Sequence, residues 1–376
     1  MDFPETMAFG AGVVIAGWTL LSAIRTVILP RSVQSALSRV VFRGVGAPFR
    51  LLAHERRSYA ARDRIMALFA PVGLLVLAAT WVALTAIGFT AIFWAVDSSS
   101  WGEAFHLSTS SITTLGFAPA DDLPERVLAF IEAGIGLFLV ALMVTFLPSL
   151  YGAFSRRETR VALLEVRAGS PPSAAEFLIR HHRIGWMDQL DETWSDWELW
   201  FAELEESHTS YPALNFFRSP QPDRHWLVAA GTILDVAALV TSTVEVDGSA
   251  APPAITIRAG YITLRRIADF FGIDYDPDPA PDDPIAITRA EFDAACEALI
   301  ETGLSLKADR DQAWRDFSGW RVNYDRPLLE LAELLMAPAA PWTSDRSAPG
   351  QTGSSRMRWG LGRRRGTIQP EAAENR

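Results

Sequence analysis

The stretch Ser100-Trp101-Gly102-Glu103-Ala104-Phe105-His106-Leu107-Ser108-Thr109-Ser110-Ser111-Ile112-Thr113-Thr114-Leu115-Gly116-Phe117-Ala118 lies between two long apolar runs, residues 65–96 and 127–154. It is too polar to cross a membrane and too regular for a plain connecting loop. Ser100 followed by Glu103 fits a capping box, which predicts a short helix from Trp101. The residues through Ile112 continue it for about two to three turns. Thr113 to Ala118 then leave the helix, and Gly116 is the position free to take backbone angles closed to most L-residues.

Three runs are long and apolar enough to span a bilayer, which takes about 20 residues. They are residues 7–29, 65–96 and 127–154. The second exceeds what a bilayer needs, and Pro71 marks an expected bend near its start. Arginine sets the orientation. Arg31, Arg39, Arg43, Arg50, Arg56, Arg57, Arg62 and Arg64 separate the first two runs, and Arg156, Arg157 and Arg160 follow the third. Asp2, Glu5, Asp97, Glu103, Asp121 and Asp122 occupy the opposite ends. The expected topology has the N-terminus outside and the C-terminus cytoplasmic, in the plasma membrane. Asp2 and Glu5 stand where a signal peptide carries basic residues, so the first run is expected to be retained.

Residues 32–53 place Val33, Leu37, Val40, Val41, Val45 and Phe49 at near-helical spacing among arginines. Two readings stay open, an amphipathic helix on the anionic inner leaflet and an ordinary connector.

The 376 residues allow about two domains. A net charge of −10 argues against nucleic acid as a partner. Cys296, the only cysteine, excludes an intrachain disulfide framework. No GxGxxG follows a strand, and no nucleophile–base arrangement or metal-ligand spacing stands out. No enzyme activity, resident cofactor or metal is therefore expected.

The order span, short helix, Thr114-Leu115-Gly116-Phe117-Ala118, span resembles the pore module of the potassium channel family, whose filter reads Thr-Val-Gly-Tyr-Gly. Ser108 to Thr113 looks like that family's pore-helix end, and Ala129 to Gly136 like its inner helix. The likeness covers about residues 65–155. It implies a selectivity filter of Thr113, Thr114, Leu115, Gly116, Phe117 and Ala118, whose backbone oxygens replace the hydration shell of K⁺. It implies four copies, since one loop closes no ring. The second filter glycine is replaced by Ala118, followed by Pro119, which leaves the choice between K⁺ and Na⁺ open.

Glu132 falls inside a span, either bracing the back of the short helix through a Ser, Thr or Trp101 partner, or reaching water at the outer interface. Gly134 and Gly136 fit a gating hinge or close helix packing. Pro148 fits a kink at a gate or a helix ending at the interface.

Residues 156–335 read as a mainly helical cytoplasmic domain. Trp194, Trp197, Trp200 and Phe201 recur at helical spacing as a core stripe. Residues 226–244 are long and apolar enough for a fourth span, but Asp235 sits mid-run and the flanks lack a basic cluster, which favours a buried helix. Residues 255–271 read as a further helix. The acidic loop from Asp274 lacks the glycine and terminal glutamate of a calcium loop and reads as solvated. Residues 336–376 turn to Pro, Ser, Gly and Arg and read as a disordered tail. Its Arg356, Arg358, Trp359, Arg363, Arg364 and Arg365 either touch anionic lipid or remain in water.

The expected architecture is an all-α membrane protein. It comprises an N-terminal span and connector (1–64), a pore module of two spans around a re-entrant helix and filter loop (65–155), the helical domain (156–335) and the tail (336–376). The expected function is a homotetrameric, K⁺-conducting cation channel. The alternative is a membrane-anchored signalling or scaffold protein in which residues 98–124 are only a loop.

Overall fold

The computed structural model describes residues 2–29, 35–54, 56–96, 100–245 and 251–349. Arg31, Val33, Asp97, Ser98 and the tail arginines lie outside the described residues. The described chain is helical, with no named β-strand among its residues. Four helical segments are long and apolar enough to cross a membrane.

The first unit comprises residues 1–166 and 206–229. It opens with α1 (Phe3–Val27), α2 (Ala36–Leu52), α3 (Tyr59–Ala67) and α4 (Phe69–Val96). Gly12 and Gly88 let α1 and α4 approach closely, since a Cβ on Gly12 would overlap the carbonyl oxygen of Gly88. Deeper along the pair, Trp81 Nε1 donates to Ser22 Oγ at 3.2 Å. α2 packs one side against α4. Phe42 and Gly46 are buried, and Phe42 meets Phe69 edge-on at 6.0 Å. Val40, Leu51 and Leu52 stay exposed. The bend expected at Pro71 falls at Leu68, between α3 and α4. Pro71 has no N–H to continue the preceding turn, and it sits in the first turn of α4, where none is needed.

The short helix α5 (Trp101–Ile112) begins at Ser100, whose side chain accepts from the Glu103 N–H. Ala104 and Leu107 pack with Phe89, Ile92 and Phe93 of α4. Next comes α6 (Leu123–Ala168), continuous through Gly134, Gly136 and Pro148. It runs beyond the apolar stretch 127–154 at both ends. At 1.5 Å per residue it is about 70 Å long, more than twice the hydrocarbon thickness of a bilayer. Charged residues from Arg156 onward keep good helix propensity, so polarity does not end the helix. Phe130, Leu137, Val140 and Val144 are exposed along it.

The second unit comprises residues 167–205 and 230–376. Its described elements are α7 (Ala174–Arg183), most of α8 (Leu190–Ser210) and α9 (Trp226–Thr243), then α10 (Ala251–Phe271), α11 (Arg289–Glu301), α12 (Arg310–Arg321) and α13 (Asp325–Leu335). The tryptophan stripe is core, with Trp194, Trp197, Trp200 and Phe201 all buried. α10 starts before the expected Ile255, because Pro252 and Pro253 fall in its first turn. Its Leu264, Ile267, Ala268 and Phe271 face inward as the spacing requires.

α9 is long and apolar enough for a span, yet 94% of its apolar stretch is buried within the chain. The apolar stretch of α6 is 22% buried. Asp235, mid-helix, accepts from Arg321 at 2.5 Å and from Tyr324 at 2.9 Å. Arg321 also donates to Asp325 at 2.7 Å and to the Trp342 carbonyl at 2.6 Å. The Asp235 carboxylate is thus buried and paired inside the unit.

The expected tail boundary moves. Residues 337–349 pack onto this unit rather than leaving it, with Ala340 and Thr343 buried and Arg346 paired to Glu291 at 2.8 Å. Pro- and Ser-rich composition hid two anchors, the Trp342 carbonyl and the Arg346 guanidinium, that need partners far away in sequence.

Candidate functional site

The site is built from three elements, α4, α5 and α6, and the non-helical residues after α5. Ser108 lies on the inner face of α5. Its Oγ is 2.6 Å from Glu132 Oε1 on α6 and 2.9 Å from the Ala86 carbonyl on α4. Both Ser108 and Glu132 are fully buried. Ser108 is the donor toward both oxygens, so its one hydroxyl proton is shared between the Glu132 carboxyl and the Ala86 carbonyl. Ala86 is about ten residues from the end of α4, roughly 15 Å along the helix axis. One turn further along α5, Ile112 meets α6 at Gly136, where a Cβ would overlap the Ile112 carbonyl oxygen. Gly136 is about 13 residues into α6, close to 20 Å by the same rise. The C-terminal end of α5 therefore lies deep along both long helices.

The end of α5 has a definite shape. The Leu115 N–H donates to the Ser110 carbonyl at 3.0 Å and the Thr114 N–H to the Ser111 carbonyl at 2.9 Å. This pair of bonds is a Schellman motif, which places the residue after the cap in left-handed geometry. That residue is Thr114, with φ 55°. A β-branched residue is costly there, by about 1–2 kcal/mol. Gly116 has φ 67°, while Leu115 and Phe117 keep negative φ. The backbone thus alternates in hand from Thr114 to Phe117. The carbonyls of these four residues accept no hydrogen bond from the described chain.

The expected site residues fall as follows. Thr113 caps α5 and donates its hydroxyl to the Thr109 carbonyl at 2.5 Å. Leu115 and Phe117 are exposed on the single chain, and the Phe117 ring lies 4.8 Å from His106. Ala118 is half-buried, has no positive φ and gives its N–H to Ser110 Oγ at 3.1 Å. Trp101 stacks on Trp94 at 4.7 Å, so Ser108 rather than Trp101 partners Glu132. Gly136 is a close-packing point, whereas a Cβ on Gly134 would meet nothing. Pro148 lies inside unbroken helix. Ser108 and Ser110 were not separable from their serine and threonine neighbours in sequence. The signal that could have singled out Ser108 is the in-span carboxylate of Glu132, which demands a buried partner.

A second polar cluster lies where α6 passes residues 206–229 in the same unit. Arg157 donates to the carbonyls of Leu214 and Phe217, both at 2.9 Å, and to His208 Nε2 at 3.1 Å. Arg218 lies 3.6 Å from Asp63 of α3, and Phe216 meets Phe69 at 5.2 Å. His225 is buried nearby. Burial first, then the positive charges of Arg218 and Arg157, hold its imidazole well below its ordinary range. Among the described residues, no group of three or more His, Cys, Asp or Glu is placed to hold a metal ion.

No protein-family model, curated protein or solved structure matches this chain.

Proposed function

We propose that the chain is one subunit of a homotetrameric cation channel that conducts K⁺ passively through a ring of backbone carbonyls. One observation carries this reading. The short helix α5 is bonded through Ser108 to the middle of α4 and to Glu132 of α6, and the non-helical chain that follows offers a row of unbonded carbonyls. Irregular backbone at membrane depth is tolerated only where it is buried or lines water. Unbonded carbonyls there need a partner, and a dehydrated cation is one. The C-terminal end of α5, with its negative dipole end, favours a cation at the same place.

In this reading α1, α4 and α6 cross the membrane, and the exposed apolar residues of α6 face lipid and neighbouring copies. The arginines of α2, α3 and the end of α6 lie on the cytoplasmic side. The paired Asp235 argues that α9 stays within the helical cytoplasmic domain and adds no fourth span.

The test is cation flux into proteoliposomes, comparing K⁺ with Na⁺ and wild type with Gly116→Asp. K⁺ entry abolished by the substitution is the expected result. Absence of flux from the wild type, or flux that Gly116→Asp leaves unchanged, overturns the channel and favours a membrane-anchored scaffold.

A further inference from the structure

Ser110 holds both ends of the segment Leu115–Ala118. Its backbone carbonyl accepts the Leu115 N–H at 3.0 Å, and its side-chain Oγ accepts the Ala118 N–H at 3.1 Å. It is almost wholly buried, and it lies on α5, which the Ser108 bonds fix to both neighbouring helices. Between its two bonds stand Leu115, Gly116 and Phe117, whose carbonyls accept no hydrogen bond among the described residues.

The outer bond matters more than the inner one. The inner bond belongs to the helix-ending motif and forms with any residue at position 110. The outer bond needs a hydroxyl. Pro119 has no N–H, so the amide of Ala118 is the last donor available to hold the segment before Ala120. Gly116 is the pliant point inside the segment. Without Ser110 Oγ, the peptide units of Gly116 and Phe117 lose the tie that keeps their carbonyls in a fixed row.

We propose that Ser110 is a positioning residue that clasps the outer end of the filter segment and so sets its preference for K⁺ over Na⁺. The proposal rests on the channel reading. A rigid row of oxygens distinguishes ions by size and field, whereas a loosened row closes around the smaller ion as well.

Two measurements on reconstituted full-length protein test it, each on wild type, Ser110→Ala and Ser110→Thr. The first is the K⁺-to-Na⁺ flux ratio in proteoliposomes. Ser110→Ala is expected to go on conducting while the ratio falls about tenfold, the scale of one lost hydrogen bond. Ser110→Thr, which keeps the hydroxyl, is expected to stay near wild type. The second is deuterium exchange of the peptide covering residues 113–120. One amide is expected to exchange about tenfold faster in Ser110→Ala and not in Ser110→Thr. An unchanged ratio in Ser110→Ala, or a Thr variant that fails to restore it, overturns the role in selection. Unchanged exchange in Ser110→Ala overturns the clasp itself. If no variant passes any cation, the channel reading falls and the selection role with it, while the exchange result still decides whether the clasp exists.

Discussion

Ser108 of α5 and Glu132 of α6 share a hydrogen bond of 2.6 Å while both side chains are fully buried. The pair fixes the depth of the short helix. With the Ala86 carbonyl as third member, it ties three helices through one hydroxyl. Among the described residues Glu132 Oε2 has no hydrogen-bond partner, so the carboxyl is held on one side only. Gln at 132 keeps a side-chain oxygen that accepts from the Ser108 hydroxyl and so preserves the trio. Glu132→Gln is therefore expected to unfold near the wild-type temperature. Glu132→Leu strands the Ser108 hydroxyl with one partner fewer and should cost about 1–3 kcal/mol. Thermal unfolding in detergent, followed by intrinsic tryptophan fluorescence, separates the two. Equal midpoints for Gln and Leu would show that the bond contributes nothing.

Gly136 and Gly134 lie one half-turn apart on α6 and should respond in opposite ways. A methyl group at 136 collides with the Ile112 backbone, which cannot move aside as a flexible side chain would. Gly136→Ala should destabilise by about 1–3 kcal/mol through overpacking. Gly134→Ala meets open space and should be neutral or stabilise by up to about 1 kcal/mol through helix propensity. Denaturation midpoints of the two variants check this. If Gly136→Ala behaves like Gly134→Ala, α5 does not approach α6 as closely as described.

Thr114 carries backbone strain where glycine would carry none. Thr114→Gly is expected to remove the penalty of about 1–2 kcal/mol for left-handed geometry, less the entropy glycine loses on folding. A strained residue retained at such a position points to a use for its side chain. Under the channel reading, the same substitution removes a hydroxyl from the inner mouth and should lower K⁺ flux even as it relaxes the loop. A Thr114→Gly protein with full flux would leave the strain without a function.

The Asp235–Arg321 pair offers a test confined to the second unit. Arg321→Met leaves Asp235 and Asp325 buried without their cation, and breaking such a pair costs about 3–5 kcal/mol. It also frees the Trp342 carbonyl, so residues 337–349 should become sensitive to limited proteolysis. Protease resistance equal to wild type would place the stability of that segment elsewhere, in Arg346 and Glu291.

His225 predicts acid sensitivity. Its folded-state pKa is depressed by burial and by the cations Arg218 and Arg157, while the unfolded value is near the ordinary 6.5. The unfolded chain therefore binds a proton that the folded chain refuses, and stability falls as pH drops below about 6.5. Above that pH the contribution is fully present. His225 Nδ1 accepts the Leu227 N–H at 3.2 Å, and Asn at this position keeps an acceptor without titrating. His225→Asn should flatten the decline in unfolding midpoint between about pH 6.5 and 5. A decline as steep as in the wild type would assign it to other groups.

What the sequence alone determined are the features governed by neighbours along the chain. Length and polarity mark the apolar helices. Ser100 and Glu103 start α5, the spacing of Trp194, Trp197 and Trp200 makes a buried stripe, and Gly116 adopts the left-handed angle expected of it. Each follows from a local period or a local steric rule. What only the tertiary structure decided are the pairings between distant residues. No local rule links Ser108 to Glu132, Asp235 to Arg321, or Arg157 to the Leu214 carbonyl. The left-handed Thr114 runs against the local preference of a β-branched residue, because the Schellman bonds to Ser110 and Ser111 select it. α9 has the composition of a membrane span, and its burial is set by the residues around it, among them an arginine 86 residues further on. Burial of a charge is settled by its partner, and the partner is brought there by the fold.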